Sequence, residues 1–323
     1  MATTKYKIFA LISLAAAAPA CTELNRCGQP VANPDDVLIT LKAPLSLDEA
    51  VVWTQEAAIG DLLADAFLDA FRQAWAGSST DHADAALLNA GAIRQQRFCD
   101  PNNPRQALPP GDLHRVTLRE VLPFDDNLVV VELTALQLKA VLEHGVARAG
   151  QSPAGQFPQV AGLHVTVDCG GAAEALDTHG CRTRAGARVA QLSLDAGTGP
   201  TGKPRAACTL FPDVTDGSAC ADDVKAHVRL VTLDFLVQGG DSFLELQNPA
   251  STCAGATAPP LFTAPGLDVV NFHVAENYLT KLATDPSAPP VPQVASDPSQ
   301  RRTAFEVKNP DGSVTFAASC PGQ

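Results

Sequence analysis

The chain has 323 residues, of which 46% are hydrophobic and 18% charged, and it carries a formal charge of −12 at pH 7. That length and apolar content allow one large or two ordinary domains with a sizeable core, and they exclude wholesale disorder. The acidic balance argues against a nucleic-acid backbone as partner, although a local basic pocket is still able to hold a phosphate.

Lys5 and Lys7 precede the apolar run from Ile8 to Ala18, which is too short for a comfortable membrane span, and small residues lead on to Cys21. Residues 1–20 therefore read as an export signal. The pattern resembles a bacterial lipoprotein signal, which implies lipidation at Cys21, a lipid-anchored place in the outer membrane, and a membrane contact through that anchor alone. Ordinary cleavage beside Cys21 is the alternative. Residues 21–39 read as a polar tether.

A domain is expected over 40–283. From Asp48 to Trp75, Ile59, Leu62, Leu63, Ala66, Phe67, Ala70 and Phe71 recur at three- and four-residue intervals and predict an amphipathic helix. Ala85–Leu88 reads as a buried strand. Thr117 to Leu122 reads as a short helix with Thr117 as its cap. Leu128–Leu133 reads as a strand, and Thr134 as the cap of a helix that turns Leu136, Leu138, Val141, Leu142 and Val146 inward. Further strands are expected at Leu163–Val167, around Arg188–Leu192 and from Val228 to Phe235, with a last helix over Val269–Leu282. Residues 284–323, rich in Pro, Ser and Asp, read as an extended C-terminal segment. The expected fold is α+β: one domain with a mixed β-sheet and packed helices, carrying disulfide-containing insertions.

There are nine cysteines. Setting Cys21 aside leaves an even number, which suits an oxidising setting. The local pairs Cys169–Cys181 and Cys208–Cys220 are expected, and Cys27–Cys99 and Cys253–Cys320 are further guesses. The absence of a close Cys-x-x-Cys pair speaks against a zinc site.

Gln238-Gly239-Gly240-Asp241 poses a question. Paired glycines after a strand permit positive φ and close approach to the backbone, and the acid beside them can accept hydrogen bonds from a ligand. A plain turn with a solvated acid is the simpler alternative. Three other islands also stand at the ends of predicted elements: Asn89-Ala90-Gly91-Ala92-Ile93-Arg94, Leu122-Pro123-Phe124-Asp125-Asp126-Asn127, and Gly155-Gln156-Phe157-Pro158-Gln159-Val160-Ala161-Gly162.

Taken in order with Ile59-Gly60-Asp61-Leu62-Leu63-Ala64-Asp65-Ala66, Gly111-Asp112-Leu113 and Glu132-Leu133-Thr134, these islands resemble the C-terminal, substrate-binding domain of the 5′-nucleotidase family over roughly residues 40 to 283. The resemblance implies a nucleoside or nucleotide ligand and a link to nucleotide catabolism. The base would lie between Phe124 and Phe235, with Asp241 at the nucleoside end, Arg94 near the substrate, and Gly155 and Asn89 beside them. Phe124 and Phe235 as plain core aromatics, and Arg94 as a structural ion-pair partner, remain the alternatives.

The sequence also departs from that family. The metallophosphoesterase signatures that hold two metal ions do not occur, and the seven histidines show no paired metal spacing. No catalytic site and no cofactor is expected in this chain. Divalent metals are expected only if a separate metallophosphoesterase protein supplies them. The positions of two family arginines fall on Glu49 and Trp53, and the family's asparagine after Pro-Phe falls on Asp126, with Asn127 one place later. These changes point away from phosphorylated ligands. Trp53 and Trp75 read as packing residues. The expected function is an exported stand-alone nucleoside- or nucleotide-binding module; a structural or interaction protein of the cell envelope that keeps the fold without the ligand is the alternative.

Overall fold

The computed structural model describes residues 22–25, 28–95, 102, 105–200, 203–248, 253 and 257–322. The elements used below are, in chain order, β1 (Val37–Leu41), α1 (Ala58–Ala74), β2 (Ala85–Asn89), β3 (Gly111–His114), α2 (Arg115–Val121), β4 (Leu128–Leu133), α3 (Ala135–Gly145), β5 (Pro158–Ala161), β6 (Leu163–Asp168), β7 (Val189–Leu194), β8 (Cys208–Phe211), β9 (Val228–Leu233), α4 (Asp234–Val237), β10 (Leu261–Phe262), α5 (Asn271–Thr284), β11 (Thr303–Lys308) and β12 (Val314–Ala317).

The central sheet is built on short strands rich in Val, Leu and Ala, above all β2, β4 and β9. Every residue of β2 and of β9 is buried, as expected of strands covered on both faces. The sheet has the order β10-β4-β9-β2-β5. β9 and β2 are parallel, while β4 and β5 run antiparallel to their neighbours. A second mixed sheet has the order β8-β7-β6-β11-β12. The chain passes from β5 to β6 through Gly162, whose φ of +72° and whose would-be Cβ, 2.4 Å from the Asp84 carbonyl oxygen, leave room for no other residue. The α+β class with mixed sheets is as expected.

α1 buries Ile59, Leu62, Leu63, Phe67 and Phe71. Thr134 forms a full capping box with Gln137 at the start of α3. Leu136 does not turn inward and is 69% exposed. It lies two residues before buried Leu138, and so about 200° away around the helix. α2 starts earlier than expected, at Arg115 with His114 as the flanking residue, so Thr117 lies inside the helix and does not cap it.

Two segments expected to lie outside the domain are folded against it. Thr22–Leu24 pairs with Pro30–Ala32, the Gln29 side-chain amide donates to the Pro123 carbonyl, and Arg115 donates to the Ala32 and Asn33 carbonyls and to Asp36. The segment after 284 is not simply extended. β11 inserts beside β6 in parallel, β12 closes the sheet edge, and Phe305 is fully buried.

That return of the chain also corrects the cysteine pairing. Cys208–Cys220 is present, but Cys169 pairs with Cys320 and Cys181 with Cys253. Cys169 directly follows β6, and its backbone N–H donates to Glu306 of β11, so the strand register brings the C-terminal cysteine to it. Cys27 and Cys99, like Cys21 and the export signal, lie outside the described residues.

Candidate binding cleft

β2 and β9 are parallel, so both end at the same edge of the central sheet. β4 and β5 are antiparallel to them, so both begin there. Four loops therefore meet at one edge, and they carry the four sequence islands. The result is a cleft of about 410 Å³ lined by Trp53, Asn89, Gly91, Ala92, Arg94, Phe124, Asp126, Gly155, Phe235 and Asp241. Seven of the eight residues singled out from the sequence line it; Asn127 does not.

The Gly-Gly-Asp turn is built around Phe235. A Cβ on Gly240 would sit 2.4 Å from the Phe235 ring, so glycine is what allows the ring to lie there. Gly239 has φ +102°. Asp241 and Ser242 also adopt left-handed backbone, with φ of 51° and 63°, which is costly for residues with a side chain. Phe235 keeps 42% of its surface exposed, an unusual state for a phenylalanine that was merely core.

Asp241 is tied on both its side chain and its backbone. Its Oδ2 accepts from buried Asn89 Nδ2 at 2.7 Å, and its carbonyl accepts from His144 Nε2 at 2.7 Å. Gly91 and Gly155 bring two loop backbones together: Gly91 N–H donates to the Gly155 carbonyl at 2.7 Å, and a Cβ on Gly155 would lie 3.3 Å from Gly91 Cα.

Arg94 is held by its backbone N–H, which donates to Val121 at 3.0 Å. Its guanidinium carbon lies 5.3 Å from the Phe124 ring centre and 5.7 Å from that of Trp53, within cation–π range of both. Burial pulls its pKa down, while Glu49 and Asp241 pull it back up. Asp126 is raised to about 6, first by burial and then by the neighbouring carboxylates of Asp234 and Asp125.

Asn127 has a different task. Its backbone and side-chain N–H groups donate to the Asp234 carboxylate at 3.0 and 3.1 Å, and its carbonyl accepts from Asp234 N–H at 2.8 Å. This clasp joins the loop carrying Phe124 to the helix carrying Phe235. Trp53 packs against the core as expected and lines the cleft as well. It caps the short helix Glu49–Val52, and Gln159 fixes that segment by donating to the carbonyls of Val52 and Gln55 and accepting from Ala57 N–H. The available signal was its place one helical turn after Glu49, on a face the resemblance already assigned to the ligand.

The family model described as 5′-nucleotidase, C-terminal domain, matches residues 37–204. The bovine (Bos taurus) 5′-nucleotidase is 33% identical over 114 residues, 35% of this chain and 18% of that protein. A 5′-nucleotidase-related protein of Glossina morsitans morsitans is 26% identical over 216 residues, 66% of this chain and 32% of that protein. The chain thus spans well under half the length of these relatives. Among solved structures, a 5′-nucleotidase precursor from Thermus thermophilus superposes with a TM-score of 0.52 at 25% identity, covering 77% of this chain and 37% of the other. The Haemophilus influenzae NAD nucleotidase shares the fold, with a TM-score of 0.51 at 11% identity, over 85% of this chain and 39% of the other.

Proposed function

The chain belongs to the 5′-nucleotidase C-terminal-domain family, and on that premise we propose that it binds a nucleoside or nucleotide in the cleft at the edge of the central sheet. The carrying observation is the convergence of Phe124, Phe235, Arg94, Asn89 and Asp241 on one cavity of about 410 Å³, a size typical of small-molecule sites. The two phenylalanines supply faces for a flat base, and each such stack is worth about 1–3 kcal/mol with little preference among bases. The Asp241 carboxylate, held by Asn89, accepts from sugar hydroxyls or an exocyclic amine. Among the described residues that line the cleft Arg94 is the one cation, and Glu49 and Asp241 act on it electrostatically, so a phosphate gains less from it than from an uncompensated guanidinium. The reading therefore favours the nucleoside over its phosphate ester.

Hydrolysis in this family is implied to need a metal pair. Among the described residues no group of three or more His, Cys, Asp or Glu side chains is gathered that could hold a metal ion. The role proposed for this chain is recognition, with a metallophosphoesterase domain supplying hydrolysis.

Calorimetric titration with adenosine and AMP tests the reading. Adenosine is expected to bind, and Phe235→Ala to weaken it by about tenfold or more, the equivalent of roughly 1.4 kcal/mol. Failure of both ligands to bind at millimolar concentration would sink the proposal and leave the structural alternative.

A further inference from the structure

Asp241 stands in left-handed backbone, with φ 51° and ψ 13°, a conformation that aspartate tolerates better than most residues but that still costs free energy, and its surroundings help to hold it there. One holder is His144 on α3. Nε2 lies 2.7 Å from the Asp241 carbonyl, which can only accept, so Nε2 carries the proton of that bond. The other ring nitrogen lies 2.6 Å from Glu174 Oε2, which fixes the ring's orientation. Phe243, fully buried, meets the same ring edge-on at 4.8 Å between centres.

The connection runs outward from there. Glu174 accepts from Arg182 Nε at 2.5 Å, and Arg182 in turn donates to Glu245 Oε1 at 2.5 Å. Glu174 is 7% exposed; burial works to raise its pKa, but the hydrogen bonds from His144 and Arg182 outweigh it and hold the carboxyl low. Glu174 and Arg182 sit in the cysteine-bearing insertion after β6, and Glu245 follows the Asp241 turn. Cys181, next to Arg182, is bonded to Cys253 beyond Glu245. The insertion also passes close to the turn, since a side chain at Gly180 would come within 3.7 Å of Ser242 Oγ.

We infer that His144 is a positioning residue for the ligand-facing carboxylate of Asp241, and that the disulfide-clipped insertion acts on the binding cleft through it. The insertion is thereby part of the recognition apparatus although it contributes no lining residue to the cleft. The inference rests on the proposed nucleoside site.

The test is adenosine affinity in a double-mutant cycle on the oxidised protein, with melting temperature followed in parallel. His144→Leu is expected to weaken binding about tenfold, the scale of a lost buried hydrogen bond. His144→Gln, which keeps a donor near the Nε2 position, is expected to restore affinity to within about threefold. In an Asp241→Ala background, His144→Leu is expected to cost almost nothing further. Unchanged affinity in His144→Leu, an equal loss with and without Asp241, or no rescue by Gln overturns the inference while the proposed site stands. Absence of adenosine and AMP binding by the wild-type chain overturns both.

Discussion

Gly240 and Phe235 make the most direct residue-scale test of the cleft. A methyl group at position 240 would overlap the Phe235 ring, and that ring, 42% exposed, can yield only toward solvent. Gly240→Ala is therefore expected to lower adenosine affinity about as much as Phe235→Ala, with a melting temperature changed by little; a large stability loss with intact binding would contradict this. Asp126 gives a pH-dependent test. Its folded pKa of about 6 lies above the ordinary 3.8, so the fold is relatively favoured while the group is protonated, below about pH 4, and loses that advantage as pH rises through 6. Asp126→Asn is expected to raise the melting temperature at pH 7.5 and leave it unchanged at pH 4. The lining of the candidate cleft was legible in sequence where a residue's type and its place at a strand end coincided, as with Asn89, Phe124 and Asp241. Trp53's second face was not, because an indole beside a helix reads as packing, which it also does, while its place on the cleft depends on the course of a segment that Gln159, far along the chain, fixes through backbone bonds.

Between elements, the bond set of Asn127 and Asp234 fixes the spacing of the two phenylalanine-bearing segments. Asn127→Ala is expected to cost roughly 1 kcal/mol of stability and a few-fold in adenosine affinity together, measured by thermal melting and calorimetry. An affinity loss without a stability loss would instead make Asn127 a ligand contact. Strand and helix positions were largely readable because β2, β4, β6 and α3 carry unbroken period-two, all-apolar or heptad-like runs. The boundary errors have local causes. Glu120 three residues after Thr117 mimicked a capping box, and Leu136 was drawn inward by its type although its angular position on α3 turns it outward.

For the molecule as a whole, the decisive misjudged region is the C-terminal segment. Its Pro- and Ser-rich flanks hid the short strand Thr303–Lys308, yet that strand is internal to the second sheet. Arg302 forms a two-pronged pair with Asp65 on α1, at 2.7 and 2.8 Å. Nearby, burial pushes Asp61 well up, Arg302 pulls it down, and Glu56 and Asp65 raise it further. A chain ended at residue 284 uncovers β6 and leaves these carboxylates without their arginine. It is expected to lack a cooperative thermal transition, whereas a sharp melt near the full chain's would show that the segment is dispensable. The disulfide errors have the same origin. Closing a longer loop costs only about 0.6 kcal/mol per doubling of length, so sequence distance does not choose the partners, and the pairing of β6 with β11 brings the C-terminal segment to Cys169. The three described bonds are concentric: Cys208–Cys220 lies inside Cys181–Cys253, which lies inside Cys169–Cys320. A protease that cuts once anywhere from 170 to 319 therefore releases nothing. A chain nicked once in that interval runs as one band until a reductant is added, so such a cut is visible only on a reducing gel.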